Sequence, residues 1–238
     1  MVTRVFVAAK LEPEQEIVLD DKISRHLLRV LRLTVGTELL IFNSGKEFCA
    51  VISAIKNSYA TVKIGSSVQN NNESALQIYL AQGIARSSKM DLIIQKAVEL
   101  GVTKITALFT EHCNVKLSGE RLTKKLQHWQ AVAISATEQS RRCLVPKVYS
   151  ASIFEWLPTV SGLRLVLDPG AGGTLSTLTK PTNYVTLLVG PEGGLSSKEI
   201  IWAKNHNFLP VRLGPRVLRT ETAALAAISA LQTQWGDY

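Results

Sequence analysis

The sequence predicts an α/β fold with a mainly parallel sheet in its longer C-terminal part, preceded by a small all-β unit. Three observations carry this reading. From residue 76 onward, apolar strand-like runs alternate with helical patterns, the mark of strand–helix–strand units. Before residue 69, short apolar runs recur between turn residues, with one helical interruption. Between these regimes lies Gln69-Asn70-Asn71-Asn72-Glu73-Ser74, polar, turn-prone and aperiodic, which reads as a linker. The domains are therefore expected at 1–70 and 75–238.

In the first domain, strands are expected at Arg4–Ala8, Glu38–Phe42, Phe48–Ile55 and Ala60–Ile64, punctuated by Gly36, Asn43-Ser44-Gly45 and Asn57-Ser58. Short strands at such spacing build a small barrel or sandwich. A helix at about 22–33 would place Ile23, Leu27, Val30 and Leu31 on one face and Arg25, Arg29 and Arg32 on the other, toward solvent. In the second domain, strands are expected at Leu76–Gln82, Ile105–Phe109, Arg164–Leu167, Tyr184–Val189 and Val211–Leu213. Helices are expected at Lys89–Leu100, Gly119–Arg141, Ser196–Asn205 and Thr220–Gln234. Ser196 with Glu199 forms a capping box, Thr220 is placed to cap the last helix, and Gly101 is placed to stop an earlier one.

The 238-residue chain is 46% hydrophobic and 19% charged, an ordinary composition for a soluble globular protein. No apolar run reaches bilayer-spanning length, and Met1-Val2-Thr3-Arg4 opens no apolar signal region. Cys49, Cys113 and Cys143 are widely spaced and odd in number, so neither disulfides nor a metal site is expected, and a cytoplasmic location fits. His26, His112, His128 and His206 share no metal-ligand spacing. Arg141 and Arg142 beside Cys143 point to a lowered thiol pKa. The net charge of +8 is concentrated: residues 75–147 hold eleven Lys/Arg against five Asp/Glu. One positive face of this kind suits a polyanion, although a solvated surface would carry the same charges.

The most specific segments are Leu188-Val189-Gly190-Pro191-Glu192-Gly193-Gly194-Leu195 and Leu213-Gly214-Pro215-Arg216-Val217-Leu218-Arg219-Thr220-Glu221-Thr222-Ala223. Each runs from an apolar strand through a Gly/Pro loop to a helix start, where glycine permits close approach and N–H groups are unpaired. In a parallel sheet such loops fall beyond the carboxyl ends of strands, where ligands bind. The first loop is neither a Walker A loop, lacking Gly-Lys-Ser/Thr, nor a dinucleotide fingerprint, having Pro191 and Leu195 at the wrong places.

Together these two segments resemble the signature of the SPOUT class of RNA methyltransferases, and within it the RsmE family, which methylates N3 of a uridine in 16S rRNA. Further family-like segments are Arg25-His26-Leu27-Leu28-Arg29-Val30-Leu31-Arg32, Lys89 through Val102, and Glu138-Gln139-Ser140. The resemblance implies an α/β methyltransferase domain with a parallel sheet and a trefoil knot, and an N-terminal PUA-like β-barrel for RNA. It implies S-adenosylmethionine bound by Leu167, Leu188, Gly190, Pro191, Glu192, Gly193, Leu213, Gly214, Leu218, Arg219 and Thr220. Leu188, Leu213 and Leu218 would flank the adenine. It also implies a homodimer acting on 16S rRNA in the assembled small ribosomal subunit, with no metal and no membrane.

Arg219 is the expected partner of a uracil oxygen, and Glu192 and Glu221 are the nearby carboxylates for proton removal. Glu221 reads first as a first-turn acid complementing the helix dipole, ahead of a catalytic role. Arg25, Arg29, Arg32, Arg86 and Lys89 are the expected RNA contacts. Two positions depart from the family pattern, which usually has Gly at Arg141 and commonly Arg at His112; neither is expected to touch the cofactor loops. Two other readings share part of the pattern: a non-catalytic RNA-binding or ribosome-assembly factor, and a SPOUT methyltransferase of another rRNA or tRNA site. Intact Gly190, Gly193, Gly194, Arg219 and Glu221 disfavour the first. The Lys89–Val102 segment and the N-terminal domain disfavour the second.

Overall fold

In the computed structural model, which describes residues 2–115, 117–160, 162–181 and 184–238, the chain forms two units. One is Met1–Glu73 with Thr137–Val145; the other is Ser74–Ala136 with Pro146–Tyr238. The first contains β1 (Thr3–Phe6), β2 (Glu16–Val18), α1 (Asp21–Arg25), β3 (Glu38–Asn43), β4 (Lys46–Lys56) and β5 (Tyr59–Val68). The strands lie in the order β1-β3-β4-β5-β2, with β1 parallel to β3 and the other pairs antiparallel. Alternating residues such as Leu39 and Ile41, or Val62 and Ile64, fill its core.

The helical interruption differs from a regular helix. After α1, capped by the Asp20 carboxylate on Ile23 N–H (2.8 Å), the chain makes a π-helical turn over His26–Val30. Leu31 N–H donates to His26 O, five residues back, at 3.0 Å. The wider turn shifts the inward face. Leu27 is buried, with Ile23, Leu28 and Leu33 packed on the core, whereas Val30 and Leu31, inward on a 3.6-residue period, are exposed. Arg25, Arg29 and Arg32 face solvent.

Arg4 organises the rest of this unit. Its Nε donates to Glu47 Oε1 (2.6 Å), and its terminal nitrogens donate to the carbonyls of Thr137, Glu138 and Arg142. The guanidinium also lies 4.6 Å from the Phe42 ring centroid. Segment 69–74, expected as a free linker, is anchored instead. Asn70 and Asn72 side chains donate to Arg141 O, and Glu73 accepts from Arg142, Cys143 N–H and Leu144 N–H. Arg141 has φ +62°, the left-handed conformation that favours glycine. The Cys143 expectation is reversed. Burial pushes its thiol pKa up to about 11, the Glu47 charge adds to this, and Arg142 is paired with Glu73.

The second unit runs β6 (Gln77–Gly83), α2 (Ser87–Glu99), β7 (Val102–Phe109), α3 (Gly119–Gln139), β8 (Lys147–Ser152), α4 (Ile153–Trp156), β9 (Leu163–Leu167), β10 (Gly173–Thr174), β11 (Tyr184–Val189), α5 (Ser197–Asn205), β12 (Leu209–Arg212) and α6 (Thr220–Trp235). The last turn of α3 falls in the first unit. The seven strands are parallel, ordered β10-β12-β9-β11-β6-β7-β8. The last strand thus lies between β9 and β10. Strands β2, β8 and β10 have no counterpart in the sequence expectation, being short or weakly apolar.

Helix α2 buries Met90, Ile93, Ile94, Ala97 and Val98, one face of a 3.6-residue period, and packs against α6. It ends at Gly101, whose φ of +89° and contact with Gln232 leave no space for a side chain. Val185 and Leu187–Val189 of β11 are buried on both faces, as central parallel strands require.

Two outcomes follow from the first unit. Arg4→Ala leaves the Glu47 carboxylate buried without its cation and is expected to cost about 3–5 kcal/mol in urea unfolding. At pH 8, iodoacetamide is expected to modify exposed Cys49 well before Cys143; rapid alkylation of native Cys143 would contradict its burial.

Candidate active site

The sheet ends and the loops beyond them make a cavity. Strands β9, β11 and β12 stop at Leu167, Val189 and Arg212, and the chain beyond each bends around a space of about 450 Å3. This lies within the range of small-ligand sites. Leu167, Leu213 and Leu218 form apolar wall, and Gly190–Leu195 with Leu213–Thr220 supply main chain. Ten of the eleven expected cofactor residues line this space. The exception is Leu188, whose side chain is fully buried with Ala81, Leu108 and Val166. The reason is pleat: Leu187 and Val189 join the other apolar cluster, so Leu188 points to the opposite face.

The two loops are held together by buried hydrogen bonds. The Thr220 hydroxyl donates to Gly190 O at 2.6 Å and accepts from Gln82 Nε2 at 2.8 Å. Gln82 Nε2 also reaches Gly190 O (3.2 Å) and Gly83 O (3.0 Å). Thr220 therefore does not cap α6. The N-cap residue is Arg219, whose side chain makes no cap bond. A sequence pattern cannot distinguish these roles, because the hydroxyl's partner lies thirty residues away. Gln82 was missed altogether; its signal is a polar residue closing an apolar strand just before Gly83.

Close backbone approach explains two glycines. A Cβ on Gly83 would sit 2.5 Å from Pro191 Cδ, and one on Gly190 would sit 3.0 Å from Gly194 C and Leu195 N. Gly214, at φ +80°, has open space where a side chain would be. The capping box at Ser196 and Glu199 is formed, and buried Glu199 also accepts Glu111 N–H at 2.8 Å.

Charged groups gather at one side. Lys89 Nζ lies 3.2 Å from Glu221 Oε2 and 3.8 Å from Glu192 Oε1. Glu192 Oε1 also accepts Arg86 N–H at 3.1 Å. Burial works to raise the Glu221 pKa. Its own backbone N–H, Lys89 and the Arg219 charge outweigh that and hold it below the ordinary carboxylate range. Arg219 is exposed, with no hydrogen bond or ion pair from its guanidinium among the described residues. Arg212 and Arg216, not singled out in the sequence, also line the cavity. The structure thus brings Lys89, Glu192 and Arg219 to one unit's cavity, with Glu221 paired to Lys89 beside it, whereas Arg25, Arg29 and Arg32 belong to the other unit.

His112 corrects another expectation, since it does touch a cofactor loop. Its Nδ1 donates to Gly193 O at 3.0 Å, and a Cβ on Gly193 would lie 2.9 Å from His112 Cβ. Among the described residues, no group of three or more His, Cys, Asp or Glu is arranged to hold a metal. No helix among them is long and apolar enough to cross a membrane.

Comparison with known proteins bears on this geometry. A family model described as an RNA methyltransferase domain matches residues 72–232, and one described as an RNA methyltransferase PUA domain matches residues 19–65. The ribosomal RNA small subunit methyltransferase E of Buchnera aphidicola subsp. Schizaphis graminum is 38% identical, over 99% of this chain and 98% of its own. The enzyme of the same name from Neisseria gonorrhoeae, solved bound to S-adenosylmethionine, is 36% identical. The match covers 100% of both chains, with a TM-score of 0.93. A methyltransferase from Legionella pneumophila, solved with the same cofactor, is 38% identical over 100% of both chains, with a TM-score of 0.95.

Gly193→Ala forces the loop against His112 and is expected to cost about 1–3 kcal/mol in thermal unfolding. His112→Gly, which removes the opposing Cβ, should restore most of it. A Gly193→Ala protein of unchanged stability would refute the tight contact.

Proposed function

The chain belongs to the ribosomal RNA small subunit methyltransferase E family, and from that premise we propose that it transfers a methyl group from S-adenosylmethionine to N3 of one uridine in 16S rRNA. The substrate in this reading is the assembled small subunit, the target lies near the rRNA 3′ end, and the enzyme works as a cytoplasmic homodimer. The observation that carries it is the cavity itself, whose two loops bear the most specific segments of the sequence; two similar proteins solved with S-adenosylmethionine support the choice of cofactor.

The residues present fit that cofactor. Apolar Leu167, Leu213 and Leu218 suit a flat ring, and Gly214 leaves its backbone open to close approach. Leu188 contributes through main chain alone in this reading. S-adenosylmethionine supplies an electrophilic methyl on a sulfonium, so the protein need only position the acceptor and manage one proton.

N3 lies on the Watson–Crick edge, so the uridine must be unpaired before it reaches the cavity. Arg219 has a free guanidinium at the cavity wall and is the group to meet a uracil oxygen, countering charge as the N3 proton leaves. Glu221 is a poor base, because its pKa is depressed. It serves as a positioning residue that holds Lys89. Glu192, 3.8 Å from the same ammonium and bound by one N–H, is the carboxylate left to accept the proton. The family resemblance assigns the solvent-facing Arg25, Arg29 and Arg32 to phosphate contacts.

Small subunits lacking the modification, incubated with the protein and cofactor, test this by nucleoside mass spectrometry and reverse transcription. The expected product is 3-methyluridine at one site near the 3′ end; a different methylated nucleoside would overturn the assignment of the acceptor atom. Arg219→Ala is expected to lose about 10²–10³ in turnover while cofactor affinity stays within a few-fold. Full activity in that variant would remove Arg219 from the mechanism.

A further inference from the structure

A second cavity, of about 290 Å3, opens on the α/β unit away from the loops described above. Tyr79, Tyr149, Tyr184, Lys104 and Thr106 line it. Tyr79 and Tyr184 stack with ring centroids 4.7 Å apart, and Lys104 Nζ lies 5.7 Å from the Tyr79 centroid and 5.2 Å from that of Tyr149. No carboxylate lines this space among the described residues.

Strand register extends the site into a row. Arg164 pairs with Thr186, Thr186 with Tyr79, Tyr79 with Lys104, and Lys104 with Lys147. Two lysines thus stand directly opposite each other on adjacent strands, a destabilising arrangement. Neither has an ion pair among the described residues. Helices normally cover both faces of a parallel sheet with apolar contacts. On this face the apolar cluster of Ala81, Leu108, Val166 and Leu188 gives way, toward the strand starts, to rings and cations. Tyr149 is 44% exposed.

We propose that this tyrosine- and lysine-lined sheet face binds a single-stranded RNA segment, one base entering the cavity against Tyr149 and phosphates meeting Lys104 and Lys147. Exposed aromatic rings stack on any base, and neighbouring cations follow the backbone. A cavity of about 150 Å3 already holds a benzene ring, so the space suffices for a nucleobase. The two lysines repel one another with no carboxylate partner among the described residues, and phosphates would supply that partner. Lys104 and Lys147 both belong to the mid-chain segment that carries most of the basic excess. It is separate from the cofactor cavity and does not draw on the proposed methyl transfer.

The test is fluorescence anisotropy of a labelled single-stranded 12-nucleotide oligouridylate with the full chain and no cofactor. A failure here leaves the methyl-transfer reading untouched. Lys104→Ala/Lys147→Ala is expected to weaken binding several-fold and flatten the log–log salt slope by about 1.4. Tyr149→Ala is expected to lose at least about fivefold, while Tyr149→Phe, which keeps the ring, binds as the parent does. Lys46→Ala/Lys56→Ala removes the same charge from exposed positions in the other unit. Equal losses in both lysine pairs, an unchanged Tyr149→Ala, or no binding by the parent chain would each overturn the proposal.

Discussion

The site depends on one buried hydroxyl. Thr220 begins α6, and its Oγ1 donates to Gly190 O while accepting from Gln82 at the end of β6. That triangle joins the start of the last helix, the end of a central strand and the first glycine of the 190–195 loop. Each bond contributes about 1 kcal/mol net, but the larger effect is geometric: leaving any of these buried groups unpaired costs more than the bond gives. With Thr220 held, Arg219 must leave the helix at its N-terminus, beside the cavity, with its guanidinium free.

The rest of the cavity divides its tasks accordingly. Main chain and aliphatic side chains form the walls, where glycines let strands of backbone approach within side-chain distance. At one side a lysine faces two carboxylates. Lys89 helps to hold the Glu221 carboxyl below the ordinary range at 3.2 Å, and Glu192 stands farther from the same ammonium, at 3.8 Å. His112 and buried Glu199 brace the loop from outside, through Gly193 O and Glu111 N–H respectively. In the first unit, Arg4 plays the corresponding part by gathering three carbonyls of segment 137–142 and the Glu47 carboxylate around one guanidinium.

Much of this was legible in the chain, because the relevant signals are local. Apolar runs located β6, β9 and β11 to within a residue or two, and the Ser196–Glu199 spacing located the start of α5. The Gly/Pro loops stood out because few other sequences satisfy so tight a turn twice. What escaped was long-range or depended on a change of period. The π turn at His26–Val30 rotates Val30 and Leu31 outward, and no 3.6-residue count anticipates it. The Leu188 side chain, expected against the adenine, is buried away from the cavity, because identity says nothing about which side of a pleat a residue occupies. Cys143 has basic neighbours in sequence but is buried near Glu47, and burial dominates. Thr220, Gln82 and His112 act through partners 30, 108 and 81 residues away, distances at which pattern carries no information.

Titration calorimetry of S-adenosylmethionine against the parent chain and Thr220→Val tests the central claim most directly. Valine keeps the shape and removes both hydrogen bonds, so the two loops lose their tie while the apolar wall remains. The account expects one cofactor bound per parent chain and an affinity at least about tenfold weaker in the variant, corresponding to ~1.4 kcal/mol. Equal affinity in the two proteins, with the variant still folded, would contradict it.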